Sequence, residues 1–283
     1  MKVIECPRDA MQGWESFIPT QSKVDYINQL LKVGFDTIDF GSFVSPKAIP
    51  QMRDTAEVLS QLDLSDSQTK LLAIIANLRG AEEACQHPEI AYLGFPLSLS
   101  ETFQQKNTNK SISEALDTVQ EIQNLCSKHD KVLVVYLSMG FGNPYGDPYE
   151  PSLVTDFVNK LDAMGIEIIS LSDTIGVSSP VNIKALFREV IPTFPHIEFG
   201  AHLHSTKESA WEKIEAVYQA GCRRMDGAIN GYGGCPMADN DLVGNMATEQ
   251  ITAFCSDRSI QTGLKDDQFL KCLKLASVVF ANQ

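Results

Sequence analysis

Hydrophobic residues follow two spacings along this chain, and segments with one spacing alternate with segments with the other. Over residues 21–34, Val24, Ile27 and Leu30 recur at intervals of three residues, which predicts an amphipathic helix. Over residues 132–136 the side chains are apolar and mostly β-branched, which predicts a parallel strand buried on both faces. The pattern therefore predicts a chain in which helices and buried strands alternate.

Eight predicted strands are each followed by a predicted helix. The strands are expected at 1–6, 37–40, 71–76, 90–95, 132–136, 166–171, 196–204 and 224–229. The helices are expected at 21–34, 46–62, 80–85, 111–126, 151–164, 180–190, 210–220 and from about 247 and 267 onward. Eight such units predict an α/β fold, a single-domain (β/α)8 TIM barrel over residues 1–283, rather than an open doubly wound sheet. In this barrel, functional residues lie at the C-terminal ends of the strands.

Charge and composition narrow the range of partners. The 283 residues carry a net charge of -13, and 43% of them are hydrophobic. Nucleic acids and anionic membrane surfaces attract clustered Lys and Arg, which this chain does not show, so we expect neither as a partner. No apolar run reaches the length needed to cross a membrane.

Cysteine usage indicates the compartment. The seven cysteines are odd in number and show no C-x-x-C spacing, so a disulfide framework is not expected. The chain opens on a predicted strand rather than on a basic and apolar leader. We therefore expect a cytoplasmic protein.

The strand predicted at 196–204 carries unusual side chains. His202 and His204 are two residues apart, so they project from the same face of the strand, with Gly200 and Glu198 beneath them. Two neighbouring imidazoles can share one metal ion. Taken alone, the pair is better explained by histidines that only form hydrogen bonds within the fold.

Further candidate ligands fall on the same rim of the predicted barrel. Arg8 and Asp9 follow the first strand, and Asn245 follows the eighth. One carboxylate, two imidazoles and an amide oxygen form a mixed set suited to Mg²⁺, Mn²⁺ or Zn²⁺, and the oxygen ligands favour the harder ions. Each residue alone has an ordinary alternative, since Asp9 could pair with Arg8 and Asn245 could cap the next helix.

A glycine-rich loop at 231–236 contains Cys235. Glycines allow such a loop to move and to close over a ligand. A free thiol titrates near ~8.5, so Cys235 at a cationic rim could exchange protons during a reaction. The other six cysteines occupy apolar positions, which favours a structural role for each of them.

Several segments together resemble the 3-hydroxy-3-methylglutaryl-CoA lyases, a branch of the DRE-TIM metallolyases. The segments lie at 5–12, 42–52, 172–177, 202–204, 233–236 and 244–249. Ser-Phe-Val-Ser-Pro-Lys at 42–47 and Gly-Gly-Cys-Pro at 233–236 are specific to the lyase branch. The Arg-Asp and His-x-His pairs are shared with the isopropylmalate and homocitrate synthases.

The resemblance implies a role for each matched position. It implies that a divalent ion is held by Asp9, His202, His204 and Asn245. It implies that Arg8 stabilises the enolate oxygen, that Cys235 is an acid or base on a mobile loop, and that Asp39 stands where the family has a functional Glu. Substrate contacts are implied for Arg8, Gln12, Ser42, Asp173 and Thr174.

The implied reaction is a metal-dependent retro-aldol (Claisen-type) cleavage of 3-hydroxy-3-methylglutaryl-CoA to acetyl-CoA and acetoacetate, as in leucine degradation. An acyl-CoA substrate and a homo-oligomer, most simply a dimer, are the expected partners. The family pattern is altered at Glu15, Ser205 and Lys207, and the segment from Cys235 to Asn245 is one residue longer.

Three alternatives remain open at this point. One is a related lyase acting on another acyl-CoA. The second is an acyltransferase like the isopropylmalate and homocitrate synthases, which carry C-terminal extensions beyond the barrel. The third is a barrel that binds an acyl-CoA or a carboxylate without turning it over.

Overall fold

Eight parallel strands close into a barrel in chain order. The computed structural model describes residues 1–234 and 243–281. The strands are β1 (Lys2–Glu5), β2 (Thr37–Ser42), β3 (Lys70–Ile74), β4 (Ile90–Ser98), β5 (Val132–Ser138), β6 (Ile168–Asp173), β7 (Glu198–Leu203) and β8 (Arg224–Gly227). Strand β1 pairs in parallel with both β2 and β8, which closes the barrel. The predicted single-domain (β/α)8 TIM barrel is confirmed.

Helices surround the barrel. They are α1 (Pro7–Gln12), α2 (Thr20–Leu31), α3 (Thr55–Leu59), α4 (Leu78–Cys85), α5 (Glu101–Thr108), α6 (Ile112–Lys128), α7 (Pro151–Ala163), α8 (Pro180–Thr193), α9 (Lys207–Gln219), α10 (Thr248–Asp257) and α11 (Asp266–Val279). A capping box starts α6, because Ser111 Oγ accepts from Glu114 N and Glu114 Oε2 accepts from Ser111 N. No helix in the described ranges is long and apolar enough to cross a membrane.

Two local predictions are wrong. The helix expected at 46–62 is a 3₁₀ turn at Pro50–Met52 followed by the short α3. Pro50 explains the break, since a proline disfavours helical geometry in the residue before it, and Ile49 has φ -129° and ψ 81°. Helix α1, which begins at Pro7, lies where the sequence pattern predicts no helix.

The hydrophobic core has two parts. The larger part packs the outer faces of the strands against the helices. The smaller part contains only strand residues at alternate positions, which places it inside the barrel: Leu72, Tyr92, Val134, Tyr136 and Ile168. The packed interior supports the rim, where the candidate site lies.

Candidate active site

Three candidate metal ligands converge at the C-terminal rim. Asp9 lies on α1 directly after β1, His202 lies on β7, and His204 follows the end of β7. One ligand atom from each residue lies within 4.8 Å of the others, and His202 Nε2 is 3.9 Å from Asp9 Oδ2. Two ligands at ~2.1 Å from one ion are separated by up to about 4.2 Å, so a small adjustment of side chains completes a site. These donors fit a divalent ion.

Asn245 lies beside this group. Its Nδ2 donates to Asp9 Oδ2 at 2.7 Å and to the Tyr232 carbonyl at 2.9 Å. Its backbone forms a β-bridge with His204. Helix α10 starts at Thr248 and its N-cap is Ala247, so Asn245 does not cap that helix. A turn of the amide about its bond to Cβ would present Oδ1, instead of Nδ2, to an ion held by Asp9.

Asp226, on β8, orients His202, and sequence reasoning missed it. Its Oδ2 lies 3.1 Å from His202 Nδ1, which leaves Nε2 directed toward Asp9. Burial lowers the pKa of His202, but the hydrogen bond and charge of Asp226 outweigh it and raise the pKa. One feature of the sequence does indicate a role for Asp226: its carboxylate lies within a predicted buried strand, where an unpaired charge is costly.

His204 has the protonation state that metal coordination needs. Burial, helped by the neighbouring His202, lowers the pKa of His204 to about 4. The imidazole is therefore neutral at neutral pH, and a neutral imidazole is the form that binds metals.

The guanidinium of Arg8 is held by two carboxylates. Its Nη1 lies 2.9 Å from Asp9 Oδ1, and its Nε and Nη2 both contact the buried Asp39 on β2. Burial raises the pKa of Asp39 to about 6, and the charge of Arg8 acts in the opposite direction. Asp39 is thus largely ionised at neutral pH and fixes the plane of the guanidinium.

The predicted substrate-binding residues lie at the same rim and have partners within the protein. Gln12 Nε2 donates to Asp9 Oδ1 at 2.5 Å. Ser42 Oγ accepts from the Val44 backbone, and Thr174 Oγ1 accepts from the Met139 backbone at 2.9 Å.

Asp173 ends β6, and its Oδ2 accepts bonds from Ser178 N and Lys213 Nζ. A part in substrate binding stays a prediction for Asp173, as it does for Gln12, Ser42 and Thr174.

The residues before Cys235 pass close to the site, although Cys235 itself lies outside the described residues. Gly233 has φ +89°, and a Cβ there would lie 2.6 Å from the Asp9 carbonyl and 2.8 Å from Asn245 Nδ2. Only glycine allows the backbone to pass this closely over both residues. The six cysteines that the structure describes are all free and buried, as expected from their apolar positions.

Two of the positions that depart from the resemblance are exposed, and one supports the site. Glu15 and Lys207 face solvent. Ser205 is buried, its backbone N donates to the Gly244 carbonyl at 3.0 Å, and its Oγ contacts Met246 Sδ at 3.3 Å. Ser205 therefore holds the chain on both sides of Asn245.

Comparison with known proteins places this chain in a family. The model of the HMGL-like family matches residues 5–276, nearly the whole chain. The chain belongs to the HMGL-like family. A relative in that family, the hydroxymethylglutaryl-CoA lyase of Bacillus subtilis, is 34% identical over 268 residues, which cover 95% of this chain and 89% of that protein.

Solved structures related to this HMGL-like chain share its fold throughout. The HMG-CoA lyase of Bacillus subtilis superposes with a TM-score of 0.91 at 33% identity, covering 98% of this chain and 92% of that one. The HMG-CoA lyase of Acinetobacter baumannii, in complex with coenzyme A and 3-methylmalate, also gives a TM-score of 0.91, at 30% identity, covering 99% and 91%. The resemblance to the lyase branch that the sequence motifs indicated is confirmed.

Proposed function

We propose that this protein is a hydroxymethylglutaryl-CoA lyase that uses a divalent ion to cleave 3-hydroxy-3-methylglutaryl-CoA to acetyl-CoA and acetoacetate. The observation that carries the proposal is the convergence of Asp9, His202 and His204 next to Arg8 at the rim of a barrel of the HMGL-like family. The domain is taken as residues 1–283.

The ion would be held by Asp9, His202, His204 and the amide oxygen of Asn245. Two of these four donors are oxygens, which favours Mg²⁺ or Mn²⁺ and leaves Zn²⁺ possible. When bound, such an ion supplies Lewis acidity that acidifies a coordinated hydroxyl and orients the substrate. Asp226 keeps His202 Nε2 turned toward the site.

Arg8 would stabilise the charge that develops as the carbon–carbon bond breaks. A base takes the proton of the tertiary hydroxyl, and the carbon that carries this oxygen becomes the ketone of acetoacetate. The electron pair of the broken carbon–carbon bond moves toward the thioester, and the negative charge collects on the enolate oxygen of acetyl-CoA. A permanently charged guanidinium, held in place by Asp39 and Asp9, is suited to meet that oxygen. Cys235 would then protonate the enolate carbon, which completes acetyl-CoA.

The substrate would be an acyl-CoA. The related lyase of Acinetobacter baumannii has been crystallised with coenzyme A. We assign its binding to the rim residues Gln12, Ser42, Asp173 and Thr174, and we assign the protein to leucine catabolism in the cytoplasm, as a homodimer.

A substrate panel tests this assignment. Purified protein with Mn²⁺ or Mg²⁺ is incubated with 3-hydroxy-3-methylglutaryl-CoA, with other β-hydroxy acyl-CoAs, and with acetyl-CoA plus a 2-oxo acid, and the products are identified by mass spectrometry. We expect the first substrate to be cleaved fastest. Faster cleavage of another acyl-CoA would keep the chemistry and change the substrate, whereas condensation of acetyl-CoA would overturn both.

A further inference from the structure

Lys213 is a buried cation whose ammonium group contacts residues at the C-terminal rim of the barrel. It lies in the second turn of α9 and is only 3% exposed. Side chains on a helix incline toward its N-terminus, and the N-terminus of α9 adjoins the rim, so Lys213 extends toward the site. No role for a lysine at this position was predicted from the sequence.

The ammonium group of Lys213 has three acceptors. Its Nζ lies 2.8 Å from the His204 carbonyl, 3.1 Å from Asp173 Oδ2 and 3.2 Å from the Gly176 carbonyl. An ammonium carries three hydrogens, so every donor is used. Lys213 therefore joins the end of β7 to the end of β6 and to the turn that follows β6.

His204 needs such support because it lies one residue beyond the end of β7. The barrel ladder fixes the backbone up to Leu203, and among the described residues His204 is then held by its bridge to Asn245 and by Lys213. The carbonyl that Lys213 binds belongs to the same residue as the imidazole that faces Asp9. A shift of that carbonyl would move the imidazole.

The charge of Lys213 is balanced where it lies. Asp173 is buried and its Oδ2 forms the ion pair, so the lysine adds no net charge behind the candidate cation site. The pair can therefore fix the backbone without repelling the metal ion.

We propose that Lys213 is a positioning residue that fixes the His204 carbonyl and thereby the direction in which the His204 imidazole meets the metal ion. The inference rests on the metal site of the proposed function. Partners that orient metal ligands typically change metal affinity by about 10- to 100-fold when removed.

Lys23 provides a matched control. It is also buried, 2% exposed, and pairs with Asp54 at 2.7 Å, but it lies on α2 and touches none of the candidate ligands. Lys213→Met and Lys23→Met each break one buried lysine–aspartate pair, so both should lower the melting temperature. Only the first should change metal binding.

The experiment measures Mn²⁺ dissociation constants, from the electron paramagnetic resonance signal of free Mn²⁺, without any substrate. We expect Lys213→Met to raise the dissociation constant at least about 10-fold, and Lys23→Met to leave it within about 2-fold of the parent. Equal Mn²⁺ affinity in all three proteins would show that Lys213 serves stability alone and would overturn the proposal.

A second variant covers the case in which Lys213→Met does not fold because Asp173 loses its counter-charge. Asp173→Asn combined with Lys213→Met removes both charges and leaves the His204 carbonyl without its donor. The same loss of Mn²⁺ affinity is expected, and parental affinity would overturn the proposal. A parent that binds Mn²⁺ but does not cleave the acyl-CoA would overturn the proposed function while leaving this result in support of Lys213.

Discussion

Arg8 and Asp39 form a buried ion pair inside the rim, in which two nitrogens of the guanidinium donate to the carboxylate. Arg8 Nε lies 3.0 Å from Asp39 Oδ2, and Nη2 lies 2.5 Å from the same oxygen. Asp39 is 1% exposed, so water does not compete for the guanidinium on that side. Because Nε and Nη2 both donate to Asp39, the plane of the guanidinium is fixed and its Nη1 is directed to Asp9.

The first prediction concerns the step at which Arg8 acts. Arg8→Gln should lower kcat by about 100-fold or more and change KM far less, because the proposed partner of the guanidinium is charge that exists mainly in the transition state. Steady-state kinetics with 3-hydroxy-3-methylglutaryl-CoA measure both constants. A variant with a raised KM and parental kcat would assign Arg8 to substrate binding only.

The second prediction concerns Asp226 and metal affinity. Asp226→Asn weakens the partner that orients His202, so Mn²⁺ affinity should fall by about 10- to 100-fold. The matched control is Asp162→Asn, because Asp162 Oδ1 lies 2.6 Å from the exposed His196, away from the ligands. Mn²⁺ titrations of both variants measure this difference. Equal affinities of the two variants would show that Asp226 does not orient His202 for the metal ion.

Alternating patterns determined the fold, so the barrel could be predicted from sequence. Buried strands such as β5 and a well-capped helix such as α6 carry their own local signals, a β-branched run and a capping box. The helix expected at 46–62 does not form as one piece because Pro50 interrupts it, although the apolar spacing continues past Pro50. Helix α1 was missed because it is only six residues long, too short for a periodic pattern.

Site residues that belong to one short motif could be predicted from the sequence. Site residues that reach the site only through tertiary contacts could not. His202 and His204 are two apart on a strand, so their shared face follows from the sequence. Asp226 and Lys213 contact the site from other elements, and no spacing in the sequence relates them to the histidines. Their contacts with the site depend on distances that only the folded barrel determines.

The third prediction concerns cysteine reactivity. Burial raises the pKa of Cys126, Cys222 and Cys272 to about 12, so these thiols are poor nucleophiles at neutral pH. Cys235, on the glycine-rich loop, should be alkylated first, with loss of turnover. Mass mapping at limiting iodoacetamide checks this. Modification of another cysteine first, or near-parental turnover in Cys235→Ala, would contradict it.

The fourth prediction concerns Glu5 and the pH dependence of stability. Glu5 is fully buried, and its carboxyl oxygens accept from Ile229 N at 2.9 Å and Thr248 Oγ1 at 2.6 Å. Burial raises the pKa of Glu5 from 4.5 to about 8. The stability that the neutral carboxyl provides is fully present below the unfolded pKa and is lost as the pH rises through about 8.

Glu5→Gln removes this titration. Relative to the variant, the parent should therefore lose stability between pH 4.5 and about 8, by up to about 1.4 kcal/mol per pH unit. Urea unfolding at several pH values measures the difference, and the exposed Glu121→Gln serves as control. If the free energies of unfolding of the parent and of Glu5→Gln differ by a constant amount across this pH range, Glu5 does not titrate as described.

The fifth prediction is the reaction itself, and its most direct test is a single incubation. The purified protein is freed of metal with a chelator, supplied with Mn²⁺ and 3-hydroxy-3-methylglutaryl-CoA, and its products are quantified by mass spectrometry. Acetyl-CoA and acetoacetate are expected in equal amounts, and only when the ion is added. Absence of both products with the ion present, or their formation at the same rate without it, would contradict the proposed metal-dependent cleavage.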